Sequence, residues 1–180
     1  MLALTPREPR AARRRGAIWV VGLALLFTTP AAKADPADDA NIAAIGQVLD
    51  NLHAAAAKAD GETYFGLFAP DAVFLGTDVS ERWPLAAFRA YALPLFARGK
   101  GWTYMPRLRH VTLSPIACRC VAWFDEVLDS ASYGTSRGTG ALILTPDGWK
   151  IEQYALTFPI PNDLAAEMTG KIKAYEESRR

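Results

Sequence analysis

The stretch that decides the fold is Val111–Asp163, VTLSPIACRCVAWFDEVLDSASYGTSRGTGALILTPDGWKIEQYALTFPIPND. It is rich in β-branched and aromatic residues, and two turn signals, Asp129–Ser132 and Pro146–Gly148, divide it. The three predicted strands are Val111–Asp129, Tyr133–Thr145 and Gly148–Asp163. Helical sequence precedes this stretch and amphipathic sequence follows it. The order predicts an α+β fold, in which N-terminal helices wrap a strongly curved, mostly antiparallel sheet. We expect a cone with a central pocket and a C-terminal helix.

The sequence on either side of this stretch predicts the helical layer. Apolar residues recur at helical spacing between Asp38 and Lys58. Pro84 favours the first turn of a later helix, which Pro94 bends or ends. The remaining predicted elements are a helix over Glu62–Ala69, a strand over Ala72–Thr77, a strand over Trp102–Leu113, and a last helix from Asn162 or Asp163 with the apolar stripe Leu164, Met168, Ile172 and Tyr175.

Residues 1–34 have the pattern of a secretory signal peptide. Arginines between Arg10 and Arg15 precede an apolar run from Ala17 to Phe27, and Ala32-Lys33-Ala34 supplies the small residues that a signal peptidase recognises. The run is shorter than the ~20 residues that span a bilayer. The sequence therefore predicts a signal peptide over 1–34 and one domain over 35–180, periplasmic or secreted, with no stable membrane insertion after cleavage. An uncleaved membrane anchor is the alternative.

We predict that the exported protein begins at or near Asp35, because the cleavage signal ends at Ala34. N-terminal sequencing of the protein recovered from the periplasm or the medium tests this start. A chain that begins at Met1 in a membrane fraction would contradict it.

The charge of the predicted domain argues against a nucleic-acid partner. Six of the 20 basic residues and one of the 19 acidic residues precede Asp35, so the rest of the chain has a net charge of −4. A mildly acidic domain without basic clusters lacks the positive surface that nucleic-acid binding needs. The sequence therefore predicts no nucleic-acid partner.

The cysteines and histidines predict neither a disulfide nor a metal site. Cys118 and Cys120 on one strand would lie ~6.6 Å apart on the same face, near the upper limit for a disulfide. We therefore expect two unpaired thiols. Neither His53 nor His110 has a second ligand at metal spacing, so no metal and no cofactor are predicted. His53 lies on the flank of the first apolar stripe and is interpreted as a boundary residue, with a catalytic role as the less favoured alternative.

Several short motifs together resemble the SnoaL-like branch of the nuclear transport factor 2-like superfamily. The motifs are Phe68–Phe74, Gly76–Asp78 with Glu81–Trp83, Ala122–Glu126, Tyr133–Gly134, Arg137–Gly140, Asp147–Ile151 and Pro159–Asp163. The resemblance covers roughly Ile42 to Ala165. It implies a cone-shaped α+β fold, often a homodimer, with a pocket between the helices and the concave sheet. It implies no single activity, since members include isomerases, dehydratases, polyketide cyclases and epoxide hydrolases.

The turn positions predict which strand residues face the pocket. If Asp147-Gly148 centres the last hairpin, Arg137 faces Thr157. If Asp129–Ser132 is the preceding turn, Phe124 faces Arg137. A slip of one residue in either turn would exchange the two faces.

On this register one face carries mostly small side chains and is predicted to line the pocket. It contains Cys118, Cys120, Ala122, Phe124, Glu126, Thr135, Arg137, Thr139, Ala141, Gln153 and Thr157. The other face carries large side chains and is predicted to be the convex face, through which a homodimer forms. It contains Val121, Trp123, Leu142, Tyr154, Leu156 and Phe158, with Gly138 and Gly140 beneath the large rings.

Glu126 is the candidate catalytic carboxylate. The candidate ligand-binding residues are Arg137, Gln153, Glu126, Trp83 and Thr139. With the slipped register, Asp125 and Tyr154 replace Glu126 and Gln153. Each also has a structural interpretation: a solvated Glu126–Arg137 salt bridge, a backbone contact for Gln153, and a core position for Trp83.

Two function classes fit these residues. The first is an exported SnoaL-like domain protein that binds a small apolar molecule in the cone pocket. The alternative is a cofactor-independent lyase, isomerase or hydrolase that uses a pocket carboxylate as general acid or base. The sequence shows neither a histidine partner for the carboxylate nor a G-x-S-x-G nucleophile motif. This favours binding.

Overall fold

A curved, unclosed six-stranded sheet with helices against it forms the domain in the computed structural model, which describes residues 35–180. The helices are α1 (Pro36–Ala57), α2 (Gly61–Gly66), α3 (Leu85–Phe96) and α4 (Ala165–Glu177). The strands are β1 (Phe68–Leu75), β2 (Arg82–Pro84), β3 (Met105–Leu113), β4 (Val121–Ser130), β5 (Gly134–Thr145) and β6 (Gly148–Thr157). The strand order is β2-β1-β6-β5-β4-β3. Only the β1–β6 pair is parallel among these strands. The predicted fold class is confirmed.

Helix α1 is fixed at its start by a cap and by an ion pair. Asp35 is the N-cap, its side chain accepts a hydrogen bond from the Ala37 backbone N–H at 2.9 Å, and a proline occupies the first turn. Asp38 in that turn pairs with Arg119 from the connection between β3 and β4. The buried side of the helix carries Ile45, Leu49, Leu52, Ala55 and Ala56. The ion pair at its start and the apolar contacts along its buried side therefore hold α1 against the sheet.

The first predicted strand is interrupted. Residues 114–120 form a loop between β3 and β4, and Arg119 in this loop has a left-handed backbone conformation with φ of 50°. Cys118 and Cys120 form a disulfide across it. The prediction of unpaired thiols is wrong, because it placed both cysteines on a strand. The turn brings their Cα atoms to 5.1 Å, within the usual range for a disulfide.

The predicted register between β4 and β5 is wrong by three residues. Phe124 faces Gly140 rather than Arg137, and Ser130 faces Gly134. Polar residues 129 and 130, interpreted as a turn, are part of β4. The chain reverses over 131–133, and Gly134 follows with a left-handed φ of 70°, which suits glycine. Because three is an odd number, the error exchanges the faces of β5 relative to β4.

The last hairpin keeps most of its predicted register. Arg137 faces Thr157 as predicted. A bulge after Ala141 places Ile143 opposite Lys150 rather than Ile151. Because the predicted β4–β5 register is wrong by three residues, the concave face combines the even-numbered residues of β4 with residues of β5 and β6 that were predicted to be convex. It contains Ala122, Phe124, Glu126, Leu128, Ser136, Gly138, Gly140, Leu142, Tyr154 and Leu156.

Aromatic side chains form the core between the helices and the concave sheet. Tyr64 of α2 is buried, and its ring centroid lies 5.1–6.1 Å from those of neighbouring rings. These rings belong to Phe65, Phe68, Phe88, Phe96 and Trp102. Most are edge-on contacts, the geometry that aromatic quadrupoles favour. The core therefore fixes α2 and α3 relative to β1.

The structure specifies the ends and the packing of the predicted helices. Helix α2 ends at Gly66, because Phe68 already begins β1. Helix α3 continues through Pro94 to Phe96. The apolar stripe of α4 is not packed into the core, and no residue of that helix is buried. None of the helices within residues 35–180 is long and apolar enough to cross a membrane.

The predicted homodimer and signal peptide stay predictions. The convex face of β3 and β4 exposes Leu108 and Trp123, the latter by 47%. The predicted cleavage site after Ala34 lies outside the described residues.

The same substitution at two glycines should have opposite effects. At Gly140 a Cβ atom would lie 2.0 Å from the Gln153 carbonyl oxygen, whereas at Gly46 in α1 it would meet nothing within 4 Å. We expect Gly140→Ala to destabilise the domain by about 1–3 kcal/mol. Gly46→Ala should stabilise it by about 0.5–1 kcal/mol, because alanine favours a helix interior. Urea unfolding of both variants measures this, and a tolerated Gly140→Ala would contradict the described packing of β5 on β6.

Candidate functional site

The structure separates the candidate residues that the sequence grouped together. Glu126 lies on the concave face and its side chain is fully buried. Arg137, Thr139 and Gln153 lie on the convex face, so their predicted position in the pocket is wrong. The cause is the β4–β5 register, since Arg137 faces Val127 and not Phe124.

The alternative candidates also separate. Asp125 is exposed on the convex face, where its Oδ2 lies 3.2 Å from His110 Nδ1. Tyr154 is buried on the concave face beside Glu126, so both residues share the pocket side. Trp83 is half-buried and lines a cavity, as described below.

Three side chains contact the buried Glu126 carboxylate. Oε1 lies 2.7 Å from His53 Nε2 and accepts a hydrogen bond from the Tyr154 hydroxyl at 2.9 Å. Oε2 accepts a hydrogen bond from Arg109 Nε at 2.8 Å. These partners come from α1, β6 and β3, so one carboxylate joins three elements. A carboxylate this deeply buried requires such partners.

Arg109 continues the network to the surface. It faces Glu126 across the β3–β4 pair. Its Nη1 donates to Asp50 Oδ1 at 2.8 Å and to the Gly46 carbonyl at 3.1 Å, both on α1. Its Nη2 is buried and makes no hydrogen bond to any residue between 35 and 180. The guanidinium therefore lies between one buried and one exposed carboxylate.

The network fixes the charge states of its members. Burial acts to raise the pKa of Glu126, but the hydrogen bonds and charges of His53 and Arg109 outweigh it, and the pKa is lowered. Burial acts to lower the pKa of Arg109, but Asp50 and Glu126 reverse this and the pKa is raised. Burial, and then the charge of Glu126, raise the pKa of Tyr154 well above its usual range. Glu126 is therefore ionised and Tyr154 protonated at neutral pH.

These charge states orient the imidazole of His53. An ionised carboxylate only accepts hydrogen bonds, so Nε2 of His53 carries the hydrogen that lies between them. In a neutral imidazole Nδ1 is then the acceptor. The arrangement of a carboxylate that holds one nitrogen and leaves the other as base is that of acid–base dyads.

Gly138 provides the space for this cluster. It faces Glu126 on β4 and Leu156 on β6. A Cβ atom at Gly138 would lie 2.2 Å from the Tyr154 hydroxyl oxygen and 3.0 Å from Glu126 Cγ. A side chain at this position would therefore displace the tyrosine from the carboxylate.

A cavity of about 230 Å³ opens beside the cluster. Its lining consists of Phe74, Gly76, Thr77, Glu81, Trp83, Phe88, Tyr91, Trp102, Tyr104, Tyr133, Leu156 and Phe158. We call it the aromatic pocket. Phe74, Trp102, Tyr104 and Leu156 also line a smaller space of about 20 Å³ that reaches His53 and Tyr154. This space holds about one water molecule. The dyad of Glu126 and His53 therefore lies directly behind the inner wall of the aromatic pocket.

His53 also borders the outside of the domain. A surface cleft of about 210 Å³ is lined by Asp50, His53, Ala54, Ala57 and residues 103–106. The imidazole, whose side chain is 10% exposed, thus lies between an interior space and a cleft between α1 and the start of β3.

Sequence reasoning missed Arg109 and undervalued His53. His53 follows Asp50 by one helical turn, so both lie on one side of α1. Arg109 lies in a strand with several polar residues, and only the pairing of β3 with β4 brings it to Glu126. Within residues 35–180 no group of three or more His, Cys, Asp or Glu residues is placed to hold a metal ion.

Solved structures with low sequence identity share this fold. One is a candidate dehydratase of the nuclear transport factor 2-like family from Streptomyces avermitilis, with 14% identity, a TM-score of 0.58, and coverage of 69% of this chain and 99% of that chain. A second is a candidate aromatic ring hydroxylase from Novosphingobium aromaticivorans, with 18% identity, a TM-score of 0.57, and coverage of 68% and 92%. A third is a candidate scytalone dehydratase from the same organism, with 10% identity, a TM-score of 0.56, and coverage of 68% and 87%. At these identities the likeness shows the fold.

No curated protein is significantly similar in sequence to this chain. The model of the SnoaL-like domain family matches residues 45–161, which include the whole sheet and most of α1. The resemblance found in the short motifs is thus confirmed, and the chain belongs to the SnoaL-like domain family.

Proposed function

We propose that this SnoaL-like domain binds a small, largely apolar molecule in the aromatic pocket. The observation that carries the proposal is the lining, in which eight of twelve residues are aromatic. Ligand sites are typically concave and apolar, with a few polar groups that orient the ligand. The volume of about 230 Å³ suits a molecule of one or two rings. With the predicted signal peptide, binding would take place in the periplasm or outside the cell.

A bulky side chain at the pocket mouth should abolish this binding. Thr77 is exposed and lines the pocket, whereas Val79 in the same loop is fully exposed and does not line it. We expect naphthalene or indole at about ten times its Kd to raise the Tm of the native chain by about 3–6 °C. The shift should persist in the control Val79→Trp and disappear in Thr77→Trp.

Thermal unfolding with each probe gives the answer directly. Equal shifts in both variants would place the probe elsewhere. The lack of any shift in the native chain would contradict the proposal.

A second candidate function is acid–base catalysis by His53. The observation that favours it is the 2.7 Å contact of Nε2 with the ionised Glu126, beside the protonated Tyr154 hydroxyl. Removal of a proton next to a carbonyl, the first step of many isomerase and lyase reactions, needs such a base and a nearby proton donor. Two of the similar structures are described as candidate dehydratases, which is a lyase activity. The ligand would reach the dyad through the small space behind Leu156.

The two histidines provide a matched test of this second candidate. In D2O, the native chain should accelerate the exchange of the α-protons of 2-indanone for deuterium, which NMR follows. His53→Gln keeps an N–H donor for Glu126 but cannot take up a proton, so we expect a loss of about 100-fold or more. His110→Gln, whose imidazole faces the exposed Asp125, should leave the rate unchanged. Equal rates in both variants would rule out His53 as the base and leave the binding proposal intact.

A further inference from the structure

We propose that the ligand of the aromatic pocket carries a small alkylated ammonium group. This inference rests on the proposed binding function and specifies the chemistry of its ligand. It depends on the rings at the pocket mouth and on the sign of the charge beside them.

The mouth of the pocket exposes aromatic rings. Tyr91 is 54% exposed and lies edge-on to Trp83, with centroids 4.5 Å apart. Tyr133, another lining residue, is 62% exposed and stacks on Phe158 at 4.9 Å. Each ring carries negative potential on its face, and a cation within about 6 Å of a ring centroid is attracted to it. Two lining tyrosine rings that are more than half exposed therefore give a positive group aromatic surface to contact.

The charge of the lining has the matching sign. Glu81 is the charged residue among the twelve lining residues, which include no Lys, Arg or His. It is half-buried, and Gly76 makes room for it, since a Cβ atom at Gly76 would lie 2.1 Å from Glu81 Oε2. The backbone N–H of Asp78 donates to the same oxygen at 3.2 Å. The carboxylate is thus held in place beside the rings.

A second carboxylate lies in the loop next to Glu81, outside the lining. Hydrogen bonds from Ser80 lower the pKa of Asp78, so its carboxylate stays ionised. The positive charge of Arg179, in the C-terminal segment, also lowers the pKa of Asp78. Its guanidinium, however, lies over the Tyr175 ring, 4.6 Å from the centroid, and is not among the pocket-lining residues. Asp78 and Arg179 both lie outside the lining and have opposite charges, so the charge of the lining is that of Glu81.

The composition of the lining favours an alkylated nitrogen. Apart from Glu81, the side-chain oxygens of the lining are the hydroxyls of Thr77, Tyr91, Tyr104 and Tyr133, and the other side chains are apolar or aromatic. A primary ammonium that lay against the rings would lose hydrogen bonds to water, and few acceptors would replace them. A quaternary nitrogen has no N–H group, and its methyl groups pack against rings. An anionic ligand would face Glu81 and the negative ring faces, so it is disfavoured.

Choline and its uncharged isostere 3,3-dimethylbutan-1-ol test the charge directly, because the two differ in a nitrogen for a carbon. Isothermal titration of the chain should give a Kd for choline at least about tenfold lower than for the alcohol. Equal or weaker binding of choline overturns the inference. In that case, binding of the alcohol, naphthalene or indole would still support the proposed function, and binding of none of them would overturn both.

Two substitutions test whether the Glu81 carboxylate contributes to choline binding. Glu81→Gln should weaken choline binding about fivefold to tenfold and leave the affinity for the alcohol unchanged. Gly76→Ala, which displaces the same carboxylate, should act in the same direction and serves if Glu81→Gln fails to fold. Glu152→Gln on β6, outside the lining, is the matched control and should change neither affinity. Choline affinity that is unchanged in both pocket variants overturns the role of Glu81.

Discussion

The buried carboxylate of Glu126 is the constraint on which the arrangement of this domain depends. A charge on the concave face of a sheet is tolerated only if neighbouring elements supply hydrogen bonds and opposite charge. Here α1 supplies His53, β3 supplies Arg109 and β6 supplies Tyr154. The same side chain therefore sets the position of α1 over the sheet and the protonation of the groups beside the aromatic pocket. Packing and chemistry share one origin in this cluster.

Because packing and chemistry depend on the same residues, the Glu126 cluster is compatible with both function classes. A fully paired carboxylate can be purely structural, since its hydrogen bonds stabilise the contact of helix and sheet. A carboxylate that holds a histidine beside a cavity can equally tune a base. The distinguishing feature is the adjacent space of about 20 Å³, which borders both His53 and Tyr154. The aromatic pocket in front of it serves either function.

The fold followed from the sequence to a larger extent than the site did. Alternating patterns and turn residues are local, and they predicted the helices, most strands, the α+β class and the concave position of Glu126. The facing residues on β5 were misplaced because they depend on where the chain reverses. The chain reverses over 131–133 and not over 129–132. The resulting register shift of three residues moved Arg137 to the convex face and Tyr154 to the pocket. Arg109 could not be predicted, because its partner is set by the pairing of β3 with β4.

The parallel pairing of β1 with β6 has a consequence for how the site comes into being. These strands are joined by more than seventy residues of intervening chain, and such distant contacts form late in folding because closing the loop between them costs entropy. Tyr154 lies on β6 opposite Phe74 of β1, so this late step completes both the wall of the pocket and the partners of Glu126. A growing chain still lacking β6 would contain the sequence of α1–α3 and β1–β5 but no complete site. Ligand binding would then report that the whole chain has folded, and a bound ligand would favour the last strand pairing over its dissociation.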